Sequence, residues 1–136
     1  MLQLPRAERR RAIEAAFELT RASVELRLRP SARSVGLLGS PQPAGSDAPV
    51  ADDARTEAMR TGHAIARVSA RLPWEPTCLR QALAAQRMLR RRQVPSTLHI
   101  GVTGGQAAAH AWLCVGGVPV VGQAGHERYL PLVAFE

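Results

Sequence analysis

The sequence predicts an α+β fold, with helices first, a small antiparallel sheet after them, and one helix packed across that sheet. Two observations carry this. Apolar residues recur at helical spacing as far as Gln93, and from Ser96 onward they alternate with polar or small ones. The breaks agree: Pro30 and Pro73 close helical segments, and Gly116-Gly117 splits two alternating ones.

The elements follow in order. Residues 7–26 set Ile13, Ala16, Phe17, Thr20 and Val24 on one face of a helix, with Arg and Glu opposite. The stretch GLLGSPQPAGSDAPVADD is rich in Gly, Pro, Ser and Asp and reads as a mobile loop. A second helix covers residues 52–72. Asp52 and Asp53 sit in its first turn, where the helix dipole favours acids, and Ile65, Val68 and Leu72 form its apolar stripe. After PWEP, a third helix starts on Thr77 as N-cap and ends in Arg90, Arg91 and Arg92, the charge order a helix prefers. Leu98, Ile100 and Val102 then alternate with Thr97, His99, Gly101 and Thr103, which is a strand. HAWLCV, VPVVG and RYLPLVAF read as three more. The expected organisation is a helical segment with its mobile loop over residues 1–45 and a core over residues 46–136.

With 136 residues and 46% hydrophobic content, the chain can bury a core without staples. It has no apolar run of about 18 residues, so no membrane span is expected. MLQLPRAERRR carries charges without an apolar stretch behind them, so the expected compartment is the cytoplasm. The net charge is +7, and all eighteen basic residues are arginine. They are spread over helices instead of forming a stripe, and aromatic content is only 4%, which argues against nucleic acid and for an acidic peptide or protein partner. The two cysteines, Cys78 and Cys114, lie in a chain read as cytoplasmic, so no structural disulfide is expected, and they form no CxxC pair, so neither a thioredoxin-like site nor a zinc ribbon is. Cys78, His99, His110 and Cys114 are of metal-ligand type but lack paired spacing, so no metal and no cofactor are expected.

Cys78 follows the cap of the third helix, where free N–H groups and the positive dipole end stabilise a thiolate. His110 opens the second strand. If the helix crosses the sheet, the two meet at one edge as a sulfur nucleophile and its base. The plain reading stands beside this: a helix cysteine as a small core residue and a strand-end histidine as a satisfied one. Cys114, on the strand face of His110, reads as filler. Trp112 reads as a core ring beneath His110, and both Trp112 and Trp74 are candidates for the substrate cleft. His99 reads as a polar surface residue, and His63 and His126 have no identifiable partner. Arg90–Arg92 reads as a solvated helix end, with an acidic leader or partner protein as the alternative.

LPWEPTCLRQALAAQRMLRRRQVPSTLHIGV followed by AHAWLCVGGVPV resembles the lasso-peptide leader-peptidase family, a transglutaminase-like branch of the papain-like cysteine enzymes. The shared features are Pro-Trp before the cysteine, Cys-Leu opening a helix, the arginine-rich helix end, LHIGV and Ala-His-Ala-Trp. They cover residues 72–121 densely. The resemblance implies Cys78 as nucleophile and His110 as general base, and hydrolysis of one peptide bond in a ribosomally made precursor. The freed core α-amine would then pass to a separate asparagine-synthetase-like cyclase. The helical N-terminal part implies the stand-alone form, which depends on a separate leader-recognition protein. Two rivals remain: an acyl- or amide-transfer enzyme with the same dyad, and a non-catalytic scaffold for precursor and cyclase.

The chain departs from the family at one point. The resemblance expects an Asp about a dozen residues beyond the histidine, where this sequence has Gly122, and no Asp follows Asp53. A triad carboxylate fixes the imidazole tautomer and steadies the imidazolium. Three readings stand: Gln123 turns inward as a neutral orienter, Glu127 reaches in from the next loop, or the third position is absent.

Overall fold

The computed structural model describes residues 4–28, 41–42, 49–102, 109–122 and 130–135. Helix α1 spans Arg6–Leu28, strand β1 Pro41–Gln42, helix α2 Asp52–Ser69 and helix α3 Cys78–Arg91. Strands β2 (Thr97–Val102), β3 (Ala109–Val115), β4 (Val118–Val121) and β5 (Leu130–Phe135) follow. The α+β class read from the switch in periodicity is the one observed.

Strands β2, β3 and β4 form the expected antiparallel meander, with Leu98 opposite Leu113 and Val115 opposite Val118. The last strand departs from it. β5 returns to pair with β2 on the other side, and the sheet order is β1-β5-β2-β3-β4. Phe135 supplies a reason. It is buried opposite Leu98, and its carbonyl accepts from Gln86 Nε2 of α3 at 3.2 Å. Pro41 and Gln42, inside the stretch read as a mobile loop, pair with Phe135 and Ala134 as β1. Pro tolerates this edge position because the outer side of an edge strand needs no donor. Of the rest of that loop reading, residues 36–40 and 43–48 lie outside the described residues.

Helices α2 and α3 pack on the sheet, and α1 packs against those two helices. α3 contributes Leu83, Met88 and Leu89, α2 contributes Ala58 and Ile65, and the sheet answers with Leu98, Leu113, Val115, Val120 and Val121. α2 approaches β4 very closely at Gly62, where a Cβ would stand 2.3 Å from the Val120 carbonyl oxygen. Only a residue without a side chain allows that approach.

Helix α1 reverses the expected orientation. Its buried stripe is Arg11, Ala15, Glu18, Leu19 and Ala22, whereas Ile13 is 70% and Phe17 60% exposed. The reason lies on its neighbours. Arg91 reaches Glu14 at 2.7 Å and also contacts the fully buried Glu18, Arg87 reaches Glu25 at 2.6 Å, and Arg92 reaches Glu14 at 2.7 Å. Arg11 of α1 chelates Glu57 of α2, which also meets Arg92 at 3.0 Å. Rising numbers on α1 meet falling numbers on α3, so the two helices run antiparallel. The arginine run expected to be solvated is in fact a clamp between helices at Arg91 and Arg92.

Candidate active site

Helix α3 begins as its sequence directs. Thr77 has an extended backbone (φ −67°, ψ 162°) and its side chain accepts from the Arg80 N–H at 3.4 Å. Pro76 precedes it, and its carbonyl accepts from Gln81 Nε2 at 3.0 Å. No acidic residue occupies the first turn, so the positive end of the helix acts on Cys78 without a carboxylate against it.

Cys78 is half-buried and its thiol is free. Its Sγ accepts from the backbone N–H of Ala111 at 3.3 Å. The sheet makes that donor available. The register of β4 against β3 stops with Val121 opposite Leu113, so β3 runs on past its neighbour, and Ala111 lies in the overhang. The contact brings the sulfur against the backbone of the residue directly after His110.

The His110 ring is held on two sides. Nε2 lies 2.7 Å from the carbonyl oxygen of Gly122. Trp112, 4% exposed, stacks with His110 at a centroid distance of 5.9 Å and an interplanar angle of 22°. His99 stacks with the same indole at 5.4 Å and 15°. Here the structure corrects the sequence reading of His99 as a surface residue. It is only 5% exposed, because the β2–β3 register sets it directly opposite Trp112 and ring stacking takes it out of water.

The remaining candidates are placed as follows. Trp74 is exposed and lines a 280 Å³ groove with Thr20, Ser23, Val24, Arg27 and Arg80, at the end of α1 nearest the start of α3. Cys114 is buried. Gln123, Glu127 and His126 lie outside the described residues. Among the described residues, no group of three or more His, Cys, Asp or Glu side chains is arranged to hold a metal ion, and no helix is long and apolar enough to cross a membrane.

A family model described as the transglutaminase-like superfamily matches residues 5–134. The chain belongs to the transglutaminase-like superfamily. No curated protein and no solved structure matches it. For a transglutaminase-like domain, a cysteine at a helix start beside a strand histidine points to cysteine-peptidase or acyl-transfer chemistry. Sequence reasoning missed two groups at this site, the Ala111 N–H and the Gly122 carbonyl. Both are main-chain atoms, and the only sequence signal for either is a glycine standing at a strand end.

Proposed function

We propose that this transglutaminase-like domain is a cysteine peptidase that cleaves the leader from a ribosomally made lasso-peptide precursor. A separate leader-recognition protein presents the precursor, and an asparagine-synthetase-like cyclase receives the freed core peptide. The observation that carries the reading is the contact between Cys78 Sγ, at the positive end of α3, and the amide next to His110. The motifs around Cys78 and His110 support the choice of substrate class.

In this reading, the Cys78 thiol gives its proton to the imidazole and the thiolate attacks the scissile carbonyl carbon. The tetrahedral intermediate collapses, the C–N bond breaks, and the imidazolium protonates the leaving α-amine of the core peptide. Water, deprotonated by the imidazole, then hydrolyses the thioester and releases the leader as an acid. The Cys78 N–H at the helix start is the natural first donor to the oxyanion.

The test is mass spectrometry of a lasso-peptide precursor incubated with the protein and a leader-binding protein. The wild type should yield leader and core, Cys78→Ala should yield neither, and His110→Ala should slow cleavage by about 10²- to 10⁴-fold. A leader carrying an added amine would replace peptidase with transferase. Cleavage that survives Cys78→Ala, or precursor bound but uncut by the wild type, would reject the dyad.

A further inference from the structure

We infer that the main-chain carbonyl of Gly122 is the third member of this site, fixing the tautomer of His110 where the resemblance expects a carboxylate. The inference rests on the Cys78–His110 reading above and concerns what holds the base.

The contact itself sets the tautomer. A carbonyl oxygen only accepts, so the 2.7 Å approach of His110 Nε2 to Gly122 requires the proton on Nε2. Nδ1 is then the basic nitrogen of the neutral ring, the one that can take the thiol proton. A triad carboxylate does the same job of orientation, and Gly122 does it without a side chain.

The backbone around Gly122 is built for this and excludes an alternative. Gly122 has φ +72°, in the left-handed region that L side chains rarely adopt. A Cβ there would stand 2.6 Å from the Ala111 carbonyl oxygen and 3.2 Å from Trp112 Cα, both backbone atoms that cannot swing away. An aspartate at position 122 is therefore incompatible with the turn that aims the carbonyl. The glycine is the requirement of a different acceptor.

Ala111 ties the arrangement together. Its carbonyl packs against Gly122, and its N–H donates to Cys78 Sγ. The same strand residue thus sets the distance from β3 to the acceptor and from β3 to the sulfur. With Trp112 stacked on the imidazole and backed by His99, ring plane and ring rotation are both fixed. Gly122 is a positioning residue acting through His110. A neutral acceptor orients the ring but adds no negative charge to steady the imidazolium.

The first readout needs no Gly122 variant. Long-range ¹H–¹⁵N spectra of the histidine rings are recorded in mildly alkaline solution on the wild type and on Cys78→Ala, with His110 assigned by its loss in His110→Asn. Cys78→Ala removes any thiolate that would keep the ring charged. The expected result is one tautomer for His110, protonated at Nε2; protonation at Nδ1, or a mixture, overturns the inference.

The second readout is precursor cleavage by Gly122→Asp and Gly122→Ala, with circular dichroism confirming the fold. Both should lose the single tautomer, and kcat should fall on the order of 10²-fold with KM little changed. That is less than the roughly 10⁴-fold cost of a wrong tautomer in a serine triad, because sulfur needs less help. A faster Gly122→Asp enzyme would show that the site lacks a carboxylate, and would overturn the inference. An Nδ1-protonated His110, with cleavage still lost in Cys78→Ala, rejects Gly122 while keeping the peptidase. Cleavage surviving Cys78→Ala rejects both.

Discussion

Helices α1 and α3 lie side by side, antiparallel, and obey opposite rules. α3 buries Leu83, Met88 and Leu89, as an amphipathic helix should. α1 turns Arg11 and Glu18 inward beside three small or aliphatic residues and leaves Ile13 and Phe17 in solvent. The difference shows that a helix face is chosen by its neighbour as well as by its own polarity. Burying the Phe17 face would gain about 2–3 kcal/mol per large side chain. It would also turn Glu14, Glu18 and Glu25 away from Arg87, Arg91 and Arg92, stranding partly buried guanidiniums between helices, and an unpaired buried charge costs more. Ala15 and Ala22 let the helices come close enough for the pairs to form.

Among the charged groups of α1, the largest expected effect comes from removing the inward one. Glu18 is fully buried, with Arg91 in contact and Arg87 and Arg21 each at 3.8 Å. Glu18→Ala should cost about 3 kcal/mol, the low end for breaking a buried pair, because Arg87 keeps Glu25 and Arg91 is partly in water. A urea titration with an unchanged m-value reads this directly. An unmoved midpoint would mean that Leu19 and the alanines hold α1 by themselves.

A smaller effect tests the same clamp through pH. Burial pushes the Glu14 carboxyl up, but hydrogen bonds and charge from Arg92 and Arg91 outweigh it and hold the group below its ordinary value of 4.5. Burial likewise raises Glu25, and Arg87 and Arg21 prevail to lower it. A carboxyl lowered in the folded chain binds its proton less readily than in the unfolded one, so its contribution is complete above the ordinary value. It drains away as pH falls through the lowered one. Melting temperature measured from about pH 6 to about pH 3 should therefore fall, and fall less in Glu14→Gln, by the equivalent of about 1 kcal/mol or less for a pair this exposed. Parallel curves would remove Glu14 from the clamp.

These two helices also mark how far the sequence could be read. Thr77 and the period-two pattern of Leu98 and Ile100 are local signals, and each predicted its element correctly. The meeting of Cys78 with the strand of His110 followed from one topological step, a helix crossing a sheet. Other features were set by pairings with distant residues. Glu14 and Arg92 each look like ordinary solvated charges until the helices meet, and His99 looks exposed until the register puts Trp112 across from it. The pairing of β5 with β2 needed the same kind of long-range information. The acceptor for His110 was hidden for another reason. It is a carbonyl common to every residue, and only the positive φ of Gly122 aims it.

The smallest expected effect sharpens the comparison most. If α1 packed by its own polarity, Phe17 would be a core residue and Phe17→Ser would cost several kcal/mol, as truncating a buried ring does. With Phe17 60% and Ile13 70% exposed, Phe17→Ser and Ile13→Ser should each lie within about 0.5 kcal/mol of the wild type. Leu19→Ala on the inward face should still cost about 2–5 kcal/mol. The three variants measured together in urea decide which face of α1 the protein uses. A large loss at Phe17 with little at Leu19 would reverse the helix and dissolve the ion-pair clamp. The expected order, Leu19 large and Phe17 near zero, would leave an apolar stripe on the outside of the protein that contributes nothing to its folding.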